Sequence, residues 1–383
     1  TVTNEELLKL ALCCNRCGTC RGVVQDSVPD VAFSLQCPSG MTFFGSYEPS
    51  GLMYLARGIA QDVLSWNEDL ARVLFSCTMC GYCDDFCQRG YRHTPALTIL
   101  EELRRRVPDS FKPKALQKAA ESIVVPKDHC LGILEEYGIV DISDGRGPET
   151  IFFPDPTILQ NPSKLREIGF LFKKSGMNVG CCIKRPLPPV SATLINGGFR
   201  ELLEECGREI DNRLRQMGIQ QVVVYHPETL SVLKRFSRSG ASFISLTRFC
   251  ADLMKKKRPK KLKLPAVTYQ DPCHLGRYSK EYAAPREIIQ MLGLTLKEMW
   301  RAGKNALCCG AGGGVLTGNP TLAKKYAATR WHEAVATGAR IMITACPFCF
   351  ANMNGTKPKA FKVMDITALV AQAYGYTGKE VTK

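Results

Sequence analysis

One stretch decides the fold of the N-terminal part of the chain: Cys77-Thr78-Met79-Cys80-Gly81-Tyr82-Cys83-Asp84-Asp85-Phe86-Cys87. Its C-x2-C-x2-C-x3-C spacing is typical of chains that hold cubane [4Fe-4S] clusters. Three thiolates at this spacing can wrap three corners of a cubane, and Gly81 lets the backbone curl close to it. The fourth cysteine of such a run ligates a second cluster, so the stretch predicts a partner run elsewhere in the chain.

The partner run is predicted upstream. Its triplet is Cys14-Asn15-Arg16-Cys17-Gly18-Thr19-Cys20, and its fourth member is Cys37, followed by Pro38 as in the bacterial ferredoxin pattern. The run departs from that pattern because sixteen residues separate Cys20 from Cys37, and the second run has Gln88 where a proline is usual. We expect the inserted residues to loop out.

The fourth cysteines are exchanged between the two runs, so the predicted ligand sets are crossed. One cluster is predicted to use Cys14, Cys17, Cys20 and Cys87, and the other Cys77, Cys80, Cys83 and Cys37. A pair of zinc sites is the alternative, since zinc also accepts four thiolates, but zinc sites commonly use two separated C-x-x-C units. Cys13 is interpreted as a bystander that could exchange roles with its neighbour Cys14.

The composition fits a globular metalloprotein in a reducing compartment. The chain has 383 residues, 45% of them apolar, and 19 cysteines, many of them in adjacent pairs or C-x-x-C units that suit metal ligation better than disulfides. It begins Thr-Val-Thr-Asn-Glu-Glu without a basic and then apolar leader, and no apolar stretch has the roughly 18–20 residues that span a bilayer. We therefore expect a cytoplasmic protein.

The net charge of +15 is concentrated in one basic run. Seven cations fall within residues 255–263, next to Pro259 and Pro265. The run is interpreted as a solvated linker between subdomains, or as a surface that docks an acidic partner or the anionic face of a membrane. Nucleic acid is disfavoured because no aromatic residues interleave the lysines and no recognised nucleic-acid motif accompanies them.

Two different patterns of apolar and polar residues divide the chain, and together they predict an α+β multidomain protein. Residues 1–125 lack alternation and predict an α-helical domain, in which the charged helix around 101–106 stops at Pro108. From about 149, short apolar runs alternate with amphipathic helices, which predicts open α/β sheets. The clearest strands are Thr150–Phe153, Gln221–Tyr225, Ala266–Tyr269 and Ile341–Thr344. The predicted subdomains are 149–255 and 265–383, with linkers at 126–148 and 256–264.

The α/β part has the pattern of an imperfect internal duplication. Thr157, His226 and Thr229 of the first half stand where the second half has Cys273, Cys346 and Cys349, and Cys181-Cys182 stand where the second has Cys308-Cys309. Cys273, Cys308, Cys309, Cys346 and Cys349 all follow predicted strands, whose carboxyl ends meet at one sheet edge. We therefore predict a metal site in the second half and its loss from the first.

The glycines after the cysteine pair, Gly310-Ala311-Gly312-Gly313-Gly314, expose backbone amides that can approach cluster sulfurs. A dinucleotide-binding loop is disfavoured because the G-x-G-x-x-G spacing is not met. Of the other cysteines, Cys130, Cys206 and Cys250 are interpreted as packing residues. Cys181 and Cys182 are interpreted as relics of a metal site, and His226 as a structural histidine. Three interpretations of His274 remain: it tunes the third site, it gates protons there, or it is an ordinary loop histidine.

The Cys-Cys-Gly motif, with a cysteine upstream and C-P-x-C downstream, resembles the CCG domain of heterodisulfide reductase. Two ferredoxin-type runs followed by two CCG copies is the layout of the fused B and C subunits or the D subunit of that enzyme, and of iron–sulfur subunits of glycolate- and lactate-oxidising systems. The resemblance implies a noncubane [4Fe-4S] cluster on the five cysteines of the second copy, with zinc as the alternative. The first copy departs from it, since Ile183 replaces the glycine.

These patterns favour an electron-transfer subunit of a larger anaerobic oxidoreductase complex, which relays electrons through two cubanes and a third cluster. Its expected partners are a flavin-containing or ferredoxin-type donor and a catalytic subunit. Because one CCG copy lacks its metal ligands, relay is favoured over a catalytic heterodisulfide or thiol–disulfide reductase. A scaffold that holds zinc in the CCG site is the non-redox alternative.

Overall fold

The computed structural model describes residues 2–22, 29–87, 94–122, 129–145 and 147–378. Short helices form its N-terminal part. The capping box of Thr3 and Glu6 starts the first helix, and the side chain of Asn67 caps the fourth. The helices are α1 Asn4–Leu12, α2 Pro38–Phe43, α3 Pro49–Ala60, α4 Glu68–Ser76, α5 Tyr82–Asp85, α6 Ala96–Arg106 and α7 Lys114–Glu121.

Apolar side chains from these helices form one buried cluster in the helical part. Leu7, Leu52, Leu74, Ile99 and Leu103 are each at most 2% exposed and come from four of the helices. Burial of a leucine or isoleucine side chain is worth about 1.5–3 kcal/mol, so this cluster fixes how the helices pack. The cysteine runs lie in the loops between the longer helices and in short helical turns, with Cys83 in α5, which places them at defined points around the cluster.

The first sheet is parallel, with strand order β1-β3-β2-β4-β5. Its strands are β1 Val140–Asp141, β2 Thr150–Phe153, β3 Gly180–Cys181, β4 Gln221–Val224 and β5 Ser242–Ser245. The accompanying helices are α8 Pro162–Ser175, α9 Ala192–Gly197, α10 Arg200–Gln216, α11 Pro227–Phe236 and α12 Leu246–Lys256. The strand β1 and the 3-10 helix Leu131–Tyr137 lie inside the segment that the sequence suggested as a linker.

The second sheet is also parallel, with order β6-β7-β8. Its strands are β6 Val267–Gln270, β7 Ile341–Thr344 and β8 Lys362–Asp365. The helices around it are α13 Ala283–Met291, α14 Val315–Gly318, α15 Pro320–Ala336, α16 Pro347–Thr356 and α17 Ile366–Ala373, and a short π-helix covers His274–Tyr278.

The sheets repeat one arrangement. In the first, β2 pairs with β4 and β4 with β5; in the second, β6 pairs with β7 and β7 with β8, four residues to a strand in every case. Parallel sheets with both faces covered carry near-continuous apolar strands, as Phe152, Val223 and Ile343 illustrate. The mixed helical and parallel-sheet character expected from the sequence is confirmed.

The two sheets share a continuous apolar core. One buried cluster contains Ile151 and Val222 of the first sheet together with Ile341 and Ile366 of the second half. A polar contact adds to it, because the Tyr225 hydroxyl lies 3.1 Å from a carboxylate oxygen of Asp365. The two halves therefore hold each other in a fixed relation.

Candidate iron–sulfur sites

The first thiol cavity lies between the N-terminal loops. It is small and is lined by both cysteine runs. The cysteines that line it are Cys14, Cys17, Cys20, Cys83 and Cys87. The structure thus brings together all four cysteines that the sequence assigned to one cluster, although Cys87 is more than sixty residues from the others.

The second thiol cavity is its neighbour and is of similar size. It is lined by Cys20, Cys37, Cys77, Cys80 and Cys83. These include all four cysteines assigned to the other cluster. Since Cys20 and Cys83 line both cavities, the two sites are adjacent.

The backbone takes the same unusual conformation in both triplets. Arg16 and Met79, at equivalent positions, have φ values of 62° and 50°, and the glycines that follow the second cysteine, Gly18 and Gly81, have 79° and 76°. Left-handed residues turn successive N–H groups toward one side, a concavity that proteins use for anions and iron–sulfur groups. Consistent with this, the Met79 N–H donates to Cys77 Sγ at 3.4 Å.

The buried thiols of these cavities ionise less readily than ordinary cysteines. Burial, reinforced by neighbouring thiolates, raises the pKa of both Cys20 and Cys37 to about 12. Four such thiols ionise together only beside positive charge, which bound metal supplies. No three His, Cys, Asp or Glu side chains in the described ranges converge as they would around a single ion. The donor sets, the four assigned cysteine thiols at each cavity, fit a multi-iron group.

The third site lies at the edge of the second sheet. Cys273 follows β6, Cys346 caps α16 after β7, Cys349 lies in the first turn of that helix, and Cys308 and Cys309 lie in the loop before α14. Their thiols form a chain of hydrogen-bond contacts in the order Cys273, Cys308, Cys309, Cys349 and Cys346. All five predicted ligands are therefore brought together.

Cys308 is the most readily ionised member of this chain. The thiols of Cys273 and Cys309 donate to it, and the Gly310 N–H lies 3.4 Å from its Sγ, so its pKa is held well below the usual range despite burial. A preformed thiolate that accepts a backbone N–H is suited to metal ligation. This is the amide donation that the glycine-rich stretch suggested.

The same glycines have a second role that the sequence did not reveal. A Cβ on Gly312 would lie 2.7 Å from the Thr78 carbonyl oxygen, and one on Gly313 would lie 2.4 Å from that of Cys77. The loop of the third site thus packs directly on the backbone of the second triplet. Only glycine allows this approach, and Gly313 also has a left-handed φ of 64°.

We expect Gly313→Ala to destabilise the protein by about 1–3 kcal/mol, because the new methyl group would overlap the Cys77–Thr78 backbone. Anaerobic thermal unfolding, combined with iron analysis, measures the effect. Gly303→Ala is the matched control, since Gly303 also has a left-handed φ, 58°, but a methyl group added there would meet nothing within 4 Å. Equal shifts in the two variants would contradict the close packing.

The first copy has polar residues at the positions of the missing ligands, and each has a hydrogen-bond partner. The Thr157 N–H donates to Asp155, His226 Nδ1 accepts the Glu228 N–H at 3.1 Å, and the Thr229 hydroxyl donates to the Val190 carbonyl at 3.0 Å. His226 therefore caps α11, while its Nε2 has no hydrogen-bond partner among the described atoms.

The remaining cysteines lie apart from the three sites. Cys181 and Cys182 are buried, and the Cys182 thiol contacts the Met217 sulfur at 3.9 Å. Cys250 is buried in the shared core, while Cys130 and Cys206 are half-buried beside it. Cys13 donates to the Lys9 carbonyl and lines neither thiol cavity.

Two buried polar residues beside the third site were not fully identified from the sequence. His274 stacks on Tyr278 and shares a 2.7 Å hydrogen bond with Ser231, and its Nε2 lies 3.7 Å from Glu228. Burial, and then the Cys308 charge, raise the pKa of Glu228 to about 8. Glu228 belongs to the first copy and reaches the second only through the fold, so no local pattern could identify it.

The inserted segment between Cys20 and Cys37 packs against the second copy where it is described. Phe33 stacks on Trp300, and the Gln36 amide donates to the carbonyls of Asn305 and Ala306 at 2.8 and 3.0 Å. Residues 23–28 lie outside the described residues, as do residues 88–93, which include Gln88.

Comparison with known proteins identifies one cysteine-rich domain and several relatives. Residues 267–354 match the CCG cysteine-rich domain family. The chain is 29% identical over 342 residues to the D subunit of dihydromethanophenazine:CoB–CoM heterodisulfide reductase from Methanosarcina barkeri, covering 80% of each. It is 26% identical over 318 residues to the B subunit of fumarate reductase (CoM/CoB) from Methanothermobacter marburgensis, covering 79% of this chain and 62% of that one.

A solved structure shares the fold. The crystal structure of a hypothetical protein from Helicobacter pylori aligns with 98% of this chain and 72% of its own, with a TM-score of 0.52 and 11% identity. In the parts of the chain that the structure describes, no helix combines the length and apolarity needed to cross a bilayer. With the matched cysteine-rich domain and these relatives, the chain is a heterodisulfide reductase-like iron–sulfur protein.

Proposed function

We propose that the chain is the electron-relay subunit of a larger oxidoreductase complex, with two cubane [4Fe-4S] clusters in the thiol cavities and a third, noncubane cluster on the C-terminal cysteines. One observation carries the proposal: the three thiol groups adjoin. Cys20 and Cys83 line both cavities, and the charges of Cys77 and Cys80 interact with that of Cys308. Bound iron–sulfur clusters supply one-electron redox chemistry, and adjacent sites suit transfer between them.

Relay is favoured over disulfide cleavage by the state of the first copy. Thr157, His226 and Thr229 replace three thiols there, and all are engaged in hydrogen bonds within the protein. A mechanism that needs metal sites in both copies therefore lacks its second ligand set. By analogy with relatives named as reductase subunits, the partners are other subunits of a redox complex. Within this proposal they are a flavin-containing or ferredoxin-type donor and a catalytic subunit.

A catalytic thiol–disulfide reductase is the second candidate, and Glu228 favours it. Reduction of a disulfide consumes two electrons and two protons, and a buried carboxyl whose pKa is about 8 can hold a proton near Cys308 at neutral pH. A free thiol that perturbs the EPR signal of the third site would support this candidate, whereas an unperturbed signal supports relay.

Iron and acid-labile sulfide analysis of anaerobically purified protein tests the proposal. We expect about twelve irons and as many sulfides per chain, which three [4Fe-4S] clusters require. About eight irons with one zinc would instead support a zinc scaffold at the third site. Fewer than about six irons would contradict the two cubanes.

A further inference from the structure

One arginine side chain donates to each cysteine triplet: Arg104, which is buried, and Arg57, which is half-buried. Arg57 is the ninth residue of α3 and donates to the carbonyl of Cys14 at 2.5 Å; Arg104 is the ninth residue of α6 and donates to that of Cys77 at 2.7 Å. Each helix follows the fourth cysteine of its run. The equivalent bonds hold the first cysteine of each triplet in the same way.

The two sites differ in how well solvent screens these cations. Arg104 is completely buried, whereas Arg57 is half-buried and its guanidinium lies 4.9 Å from the ring centre of the exposed Tyr54. Charges near the surface are weakened by water and salt, and buried ones much less. Arg104 therefore acts more strongly on the second triplet than Arg57 acts on the first.

The second triplet also has a second buried arginine, whereas the further arginine at the first cavity, Arg16, is exposed. Arg277, in the π-helix after Cys273, is 4% exposed and its Nε donates to the Cys80 carbonyl at 2.7 Å. Its Nη1 donates to the carbonyls of Lys304 and Ala306 at 3.1 and 2.8 Å. The side chain thus lies between the second cavity and the third site.

Neither Arg104 nor Arg277 has a carboxylate within ion-pair distance among the residues that the structure describes. The carboxylates nearby are otherwise engaged: Glu48 pairs with Arg21, and Glu101 with Arg235. Asp84 adjoins Cys83, which lines both cavities, so its charge bears on both sites. An unpaired buried charge is costly, and the anionic thiolates are the counter-charge that remains.

We propose that Arg277, together with Arg104, holds the second cluster at a higher reduction potential than the first, so that electrons collect beside the third site. The inference rests on the proposed cubanes and deepens that function by giving the relay a direction. Reduction adds negative charge to a cluster, and fixed positive charge stabilises the reduced form. Burial alone acts in the opposite sense, and the proposal is that the two buried guanidinium charges outweigh it.

Redox titration of the whole anaerobic protein, followed by EPR, tests the inference. The signal that is lost in Cys37→Ser belongs to the second cluster, and the one that is lost in Cys87→Ser to the first. In the wild type we expect the second-cluster signal to titrate at the more positive potential. A lower or equal potential would overturn the proposal, and this measurement needs no arginine variant.

The arginine variants supply the matched comparison. Arg277→Gln should move the reduction potential of the second cluster in the negative direction and leave that of the first cluster unchanged. Arg277→Lys keeps the charge, so its second-cluster potential should stay close to that of the wild type. Arg57→Gln should not move the second-cluster signal. An unchanged potential in Arg277→Gln, or a lysine variant that behaves like glutamine, would overturn the inference while leaving the cubanes intact. Absence of two separable signals in the wild type would instead contradict the proposed function.

Discussion

Replacement of Cys87 by serine is expected to remove the cluster of the first triplet, although Cys87 belongs to the second run. Cys87 lines the cavity that holds Cys14, Cys17 and Cys20, and it does not line the neighbouring one. The loss should amount to about four irons per chain, with the second-cluster signal retained. Iron analysis and EPR of the anaerobically purified variant measure both effects.

The reciprocal variant makes the test specific. Cys37→Ser should remove the other cluster, because Cys37 lines only the second cavity, where it lies beside Cys77 and Cys80. Cys13→Ser is the control, since its thiol donates to the Lys9 carbonyl and lines neither cavity. If Cys87→Ser retained full iron while Cys13→Ser lost four, the crossed assignment would be wrong and Cys13 would be a ligand.

The sequence predicted the features that depend on local pattern. Strands at Thr150–Phe153 and Ile341–Thr344 have the expected bounds. The strand Gln221–Val224 ends one residue earlier than predicted, and Val267–Gln270 is shifted by one residue at both ends. Apolar runs flanked by turn residues specify buried strands without reference to distant contacts. The cysteine spacing was equally informative, because a cluster restricts where its ligands can lie along the chain.

Contacts between distant segments could not be predicted in this way. Nothing local distinguishes Arg104 from its neighbours Arg105 and Arg106, yet it is completely buried while they pair with Glu102 near the surface. Likewise, the closeness of Gly313 to Cys77 follows from how the second copy packs on the helical part. Burial of one charged residue among several is decided by tertiary packing, which a single sequence does not show.

Arg104 joins three parts of the molecule, and Arg104→Met is expected to be strongly destabilising. Its guanidinium donates to the carbonyls of Leu74 and Cys77 in the helical part, of Asn196 in the first copy and of Gly313 in the second, at 2.7–2.9 Å for the shortest bond to each. Burial lowers the pKa of Arg104 to about 10, so the charge is retained at neutral pH. Methionine fills similar space but removes the guanidinium hydrogen bonds to all four carbonyls, of which that of Leu74 still accepts the Cys77 N–H.

The free energy of unfolding is expected to fall by about 3 kcal/mol or more. Each unsatisfied buried acceptor costs about 1–3 kcal/mol, and removal of the buried charge offsets part of that cost. Denaturant unfolding of the anaerobic protein, followed by circular dichroism, measures it. Arg57→Met is the matched control. Arg57 occupies the same position in its helix and donates to the carbonyls of Ala11 and Cys14. Because Arg57 is half-buried, water can replace its guanidinium, and the variant should lose only about 1 kcal/mol of stability. If the two variants unfolded at the same denaturant concentration, Arg104 would not be the residue that couples the helical part to both sheets.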